Sequence, residues 1–253
     1  MARRVVAVSS HPRRPRNDLR QYDDLATHWW RPDGAFAALH WLAAARSHLV
    51  PPASSDAAVL VDLACGGGLL APHVEGYRHI GIDVNETALA QARTAGVIPV
   101  AGDVTRLPLP DGCADVVVAG EIFEHVPDVD AAVAETARIC RPRGTVVVDT
   151  IAANPLAKLA VGYVQERLPG GPPPRIHDPA LFVSPRRLRA AFDAHGVTLL
   201  TRGLRVVPSD YLRFLADRTR PVRMVPTPTA RTLYQGLGFR REGSRPTQGS
   251  RSR

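Results

Sequence analysis

Glu121, Glu124 and His125 lie within five residues of one another, directly after an apolar, β-branched run at 115–119. Two carboxylates and an imidazole at that spacing suit two kinds of chemistry. They can hold a hard divalent cation through oxygen, with imidazole as a tolerated ligand. They can also take the proton of a phenol, whose pKa of about 10 leaves it a poor nucleophile at neutral pH. On a third reading, Glu124 and His125 do no more than start and cap the next helix.

A second constellation lies upstream. The apolar run at 59–63 leads into Asp62-Leu-Ala64-Cys-Gly66-Gly-Gly68. A glycine at a strand-to-helix turn lets a ligand press against the backbone, because no Cβ intervenes. Asp83 closes the next short apolar run, where a carboxylate can accept hydrogen bonds from both hydroxyls of a ribose. Asp103 ends a third run and could meet an adenine amino group. Acids at three successive strand ends favour an adenosine-bearing ligand over a bare structural turn. A dinucleotide is the rival, but Ala71-Pro72 stands in the helix where its fingerprint would carry a third glycine.

These residues need a scaffold that brings strand ends together. Apolar runs at 59–63, 79–83, 97–101, 115–119 and 145–151 predict five strands. Helices are expected at 68–75, at 86–95 with Asn85 as N-cap, and from Asp128 to 140. That alternation predicts right-handed crossovers and a parallel sheet covered on both faces. Residues 197–206 read as a sixth strand, and 232–238 as a weaker seventh. Before the sheet, helical stripes at 18–29 and 36–49 form an N-terminal extension. After it, Leu156, Leu159, Ala160, Tyr163, Val164 and Leu168 share one helical face. That face either rests on a membrane surface, with Lys158 and Arg167 beside it, or packs over the active site. A helix starting at Ser184-Pro185 follows.

The chain has 253 residues and a formal charge of +8, with Lys158 its only lysine. Six arginines fall in the first twenty residues and four among 241–253. Both ends read as disordered, solvated basic tails rather than a specific nucleic-acid surface. The division expected is a tail at 1–17, one domain at 18–240 with helices at 18–50 and an insertion at 152–183, and a tail at 241–253. Three cysteines without zinc spacing point to a reducing compartment. A cytoplasmic location, peripheral on the inner face of the membrane, is expected. The Arg-rich, acid-free start leaves a mitochondrial address as the alternative.

Four stretches carry a family resemblance: His28-Trp29-Trp30 through His40 followed by Arg46, Cys65 to Leu70, Glu121 through Pro127, and Ile176-His177-Asp178 through Pro185. The chain resembles the S-adenosylmethionine-dependent methyltransferases and, more narrowly, the O-methyltransferases of ubiquinone biosynthesis, over residues 20 to 240. Ala64 departs from the first glycine of their motif. The resemblance implies a Rossmann-like methyltransferase fold, an α/β architecture whose mostly parallel, seven-stranded sheet carries helices on both faces. It implies S-adenosylmethionine bound by Arg46 at its carboxylate end, lined by the backbone at Ala64 and Gly120 beside Asp62 and Gly66, and held at the ribose by Asp83. It also implies Mg²⁺ on Glu121, Glu124 and His125, with His125 and Glu124 as catalytic groups. His177 and Asp178 either close the site or tie down their loop. Trp29, Trp30 and Trp41 either form an aromatic lid or pack.

The function expected is O-methylation of a phenol or catechol, a polyprenylated quinone precursor, with no specific nucleic-acid partner. Two alternatives stand: methylation of a soluble aromatic metabolite or tRNA base, and a non-catalytic S-adenosylmethionine-binding assembly protein.

Overall fold

A computed structural model describes residues 14–243. The sheet begins with β1 (Val59–Leu63), β2 (Arg78–Asp83), β3 (Ile98–Ala101), β4 (Ala114–Gly120) and β5 (Cys140–Ile151). It is completed by β6 (Val197–Val206), β7 (Met224–Thr227) and β8 (Leu233–Arg240), in the order β3-β2-β1-β4-β5-β8-β6-β7. The first five strands run parallel, and β8 lies antiparallel between β5 and β6. The sheet thus has eight strands where seven are expected. The extra one, β7, pairs with β6 at the edge and carries Pro226, which an edge strand tolerates. The strand expected at 232–238 finds its partners in β5 and β6.

Alternate residues of the central strands feed two cores. Val61, Leu63, Val117, Ala119, Val146 and Val148 pack on one face with Phe123, Val133 and Phe192. Leu60, Val116, Val118 and Val147 pack on the other with Leu70. Both faces being covered, these strands read as continuous apolar runs. The chain order reverses between β1 and β4, and that switch point opens a crevice at their carboxyl ends.

The helices are α1 (Gln21–Asp24), α2 (Ala37–Ser47), α3 (Glu86–Thr94), α4 (Val129–Ile139), α5 (Pro155–Leu159), α6 (Pro185–Ala194) and α7 (Pro208–Ala216). Asn85, Asp128 and Ser184 cap α3, α4 and α6 by accepting from the amides of Ala88, Ala131 and Arg187. The helix expected at 68–75 shrinks to one 3₁₀ turn, Ala71–His73. Gly66 and Gly68 hold left-handed φ angles of +52° and +78°, and Pro72 has no amide hydrogen to continue a ladder. The helix expected at 18–29 is likewise α1 plus a 3₁₀ turn at Ala26–His28. The apolar helix at 155–168 is α5, then a wide turn at Ala160–Val164 and a 3₁₀ turn at Gln165–Arg167.

Residues 14–17 fall in the stretch assigned to a basic tail, yet they hydrogen-bond to His125, Glu166, Arg175 and His177. The remainder of that tail, and 244–253 of the second, lie outside the described residues.

Candidate active site

Two cavities meet over the carboxyl ends of β1, β2 and β4. The first, of about 270 Å³, is lined by Arg46, Asp62, Ala64, Gly66, Asp83, Gly120, Glu121 and His125 among others. Asp83 accepts from the Gly66 amide at 2.9 Å and the Asn85 amide at 2.8 Å, which fixes the carboxylate at the mouth of the glycine turn. Burial raises its pKa. Ala64 sits at φ +53°, a conformation disfavoured for a residue with a Cβ. Asp62 is buried, with an oxygen 3.6 Å from His79 Nε2. Asp103 does not line this cavity: its exposed carboxylate accepts from the Thr105 amide and hydroxyl, both at 2.8 Å.

Arg46 is buried and makes two hydrogen bonds to Asp149, at 2.7 and 2.8 Å. Asp149 is also buried and accepts from the Glu121 amide at 3.1 Å. One acid therefore orients the guanidinium and the turn that carries Glu121. Gly120 makes room for this, since a Cβ there would fall on the Arg46 guanidinium. Sequence reasoning missed Asp149, whose only signal is an acid directly after the apolar Val146-Val-Val148 run.

Trp29 lies against the glycine turn. A Cβ at Gly67 would come within 2.7 Å of the indole, and one at Gly66 would collide with it. Trp29 stacks on Phe36 with ring centroids 4.2 Å apart and on Tyr22 at 5.8 Å. The glycines thus admit an aromatic ring. Trp41 packs edge-on against Phe214, and Trp30 stands half out of the protein beside His40.

The second cavity, of about 190 Å³, is predominantly apolar. Val161, Leu168, the proline-rich 169–173 and Ile176 wall one side, and Phe36, Trp41 and Leu42 of the N-terminal helices wall the other. Tyr22, Leu39, Glu121 and His125 line both cavities. Tyr22, which sequence reasoning placed only in an apolar stripe, therefore stands at the junction, its hydroxyl 3.5 Å from His125 Nε2.

Burial dominates the electrostatics here. It pushes the Glu124 carboxyl up to about 7, although the Thr150 hydroxyl donates to it at 2.7 Å. Burial, then the neighbouring Glu124 and Asp149, hold Glu121 well above the carboxylate range. Burial takes His125 down to about 4 and, with His125 and Arg16 nearby, takes His177 well below its usual value. Near pH 7 both imidazoles are neutral, and Glu121 is shifted toward its protonated form. Glu124 lines neither cavity, so the carboxyl group beside His125 that reaches both is Glu121.

The trio expected to hold Mg²⁺ is not the trio the fold assembles. Glu124, His125 and His177 each offer a donor atom within 4.8 Å of the others, and Glu121 is outside that set. Glu124 Oε1 and His177 Nδ1 are buried without protein partners. Two nitrogens and one oxygen do not fit Mg²⁺, which takes octahedral oxygen coordination.

Residues 61–148 match the family model described as a methyltransferase domain. The chain is 32% identical to the ubiquinone biosynthesis O-methyltransferase of Cupriavidus pinatubonensis, over 85% of this chain and 92% of that one. It is 32% identical to the protein of the same name from Alkalilimnicola ehrlichii, over 80% of this chain and 87% of that one. Among solved structures, a SAM-dependent methyltransferase from Thermotoga maritima superposes with a TM-score of 0.63 at 16% identity, covering 86% of this chain and 97% of the other. An S-adenosylmethionine-dependent methyltransferase from Mesorhizobium loti gives 0.51 at 17%, covering 78% and 96%. At such identities the superpositions speak for the fold alone.

Proposed function

Since the chain belongs to the ubiquinone biosynthesis O-methyltransferase family and is an S-adenosylmethionine-dependent O-methyltransferase, we propose that it methylates a phenol or catechol oxygen on a quinone precursor bearing an apolar prenyl tail. The observation that carries this reading is the junction of two unlike cavities at Tyr22, Glu121 and His125. The first cavity, the more polar of the two through Arg46, Asp62, Asp83 and Glu121, suits the methyl donor. The apolar one suits a ring and its tail.

In the polar cavity Asp83 is the group for the ribose. The edge of the Arg46 fork not engaged by Asp149 is the group for the donor's carboxylate, a charge-assisted pairing. Methyl transfer from sulfonium to oxygen is an in-line displacement, so the acceptor oxygen must point from the apolar cavity toward the polar one. Holding both partners in that geometry supplies much of the rate. His125 Nε2 takes the phenol proton. A buried imidazole of low proton affinity can still do so, because the O–H becomes strongly acidic as the new C–O bond forms. Glu121, whose carboxyl burial shifts toward its protonated form, lines both cavities and is the group to meet the second oxygen of a catechol.

The tail would leave along the insertion, where Leu156, Leu159, Tyr163, Val164 and Leu168 are exposed. Among the described residues no helix is long and apolar enough to cross a membrane, so contact with lipid would be peripheral. The test is transfer of label from S-adenosylmethionine to a prenylated catechol. Label on the ring oxygen is expected. Cofactor binding without transfer to any of a panel of prenylated and unprenylated phenols would overturn the proposal.

A further inference from the structure

His125 is gripped by a residue from outside the sheet. The Asn17 side chain donates from Nδ2 to the His125 backbone oxygen at 2.9 Å, and its Oδ1 lies 2.6 Å from His125 Nδ1. The two contacts together settle which way the amide faces. A backbone oxygen can only accept, so the NH₂ end must point at it. Oδ1 then faces Nδ1 and, being an acceptor, requires a proton there. A neutral imidazole carries one proton, so Nε2 is left with a bare lone pair. That nitrogen is the one beside the Tyr22 hydroxyl, at the junction of the cavities.

Asn17 is itself held. It adopts φ +56°, a left-handed conformation that Asn tolerates better than most residues, and its amide donates to the Arg175 oxygen at 3.1 Å. Next to it, Arg16 donates to Glu166 Oε1 and to the His177 backbone oxygen, both at 2.8 Å, and lies over the Tyr163 ring at 4.6 Å. Arg175 in turn donates to the Arg14 backbone oxygen. The segment is seated across the insertion that walls the apolar cavity.

We propose that Asn17 is a positioning residue that fixes His125 as its Nδ1–H tautomer and aims the unprotonated Nε2 at the point where acceptor and methyl donor meet. This rests on the reading of His125 as the proton acceptor, because only the bare nitrogen can take a phenol proton. The alternative tautomer would present an N–H there, and the reaction would lose its base.

Nitrogen NMR on full-length protein labelled at histidine tests this, with His125→Gln identifying the His125 signals. At neutral pH the wild type should show a protonated Nδ1 and a bare Nε2. Asn17→Ala should shift His125 toward a mixture of tautomers and lower kcat by about 10–100-fold, while leaving the Kd for S-adenosylmethionine unchanged. Asn17→Asp keeps an acceptor for Nδ1–H and tolerates the same backbone conformation but loses the donor to the His125 backbone oxygen, so it should restore the tautomer and recover only part of kcat. A wild-type spectrum with the proton on Nε2, or an Asn17→Ala spectrum identical to wild type, overturns the proposal. The wild-type spectrum decides even if a variant fails to fold. If His125→Gln keeps full activity, the proton-acceptor reading fails, and the tautomer measurement still reports on the clamp itself.

Discussion

Arg46 and Asp149 face each other through a two-point contact, 103 residues apart in sequence, with Gly120 making room for the guanidinium. Both side chains are buried, so removing one leaves the other charged without a partner. Breaking such a pair costs about 3–5 kcal/mol. Asp149 also holds the Glu121 amide, so Asp149→Ala should loosen both the site proposed for the cofactor's carboxylate and the turn that carries Glu121. Calorimetric titration should show S-adenosylmethionine binding weakened at least about tenfold, about 1.4 kcal/mol. A variant that binds the cofactor as tightly as wild type would show that Arg46 does not depend on Asp149 for its orientation.

Ala64 marks a place where this chain departs from a glycine and retains the glycine's conformation, at φ +53°. The left-handed region costs an L-residue about 1–2 kcal/mol. Glycine would remove that strain and take back about 0.5–1 kcal/mol through its freer unfolded chain. Ala64→Gly should therefore be mildly stabilising, raising the melting temperature by about 2–4 °C. Thermal unfolding checks this, and a lowered melting temperature would mean that the Ala64 methyl makes contacts worth more than the strain.

What the sequence announces and what it conceals follow from the range of the interactions. The starts of α3 and α4 were legible because their signal is local: Asn85 and Asp128 reach amides three residues on. The central strands were legible because burial on both faces makes them uniformly apolar. The helix at 68–75 failed because glycine and proline act on the backbone more strongly than the apolar residues around them. β7 escaped because three half-buried residues around an exposed Pro226 carry no periodicity. Within the site, Asp83 could be found from its place at a strand end. Asp149 and Asn17 could not, since their partners lie 103 and 108 residues away and no spacing encodes those pairings. The trio Glu124, His125 and His177 was not legible for the same reason, because His177 reaches the other two only through tertiary structure.

The insertion exposes Leu156 and Leu159 on its surface, at 51% and 60% of their accessible area. If a prenylated acceptor is drawn from a bilayer, these side chains are the first to meet lipid. Each buried methylene contributes about 0.8 kcal/mol. The double substitution Leu156→Asp, Leu159→Asp should then abolish co-sedimentation with phospholipid vesicles. It should leave S-adenosylmethionine affinity intact, because neither residue lines the polar cavity. Equal sedimentation of the double variant and wild type would remove the insertion from the membrane contact.

Glu124 and His125 should impose opposite pH dependences on stability, and variants can separate them. The Glu124 carboxyl rises to about 7 in the folded protein, so the folded state holds a proton that the unfolded chain gives up near pH 4.5. Its contribution is complete below pH 4.5 and is lost as the pH rises toward 7. His125 falls to about 4, so between pH 4 and 6.5 the unfolded chain binds the extra proton and stability rises with pH. The two slopes partly cancel in the wild type. Glu124→Gln cannot ionise and keeps an acceptor for the Thr150 hydroxyl, so it removes only the falling slope. Denaturant unfolding at a series of pH values should show Glu124→Gln gaining on wild type steadily from pH 4.5 to 7, by a few kcal/mol at most. A stability difference that stays flat across that window would mean that Glu124 ionises in the folded protein as readily as in the unfolded chain.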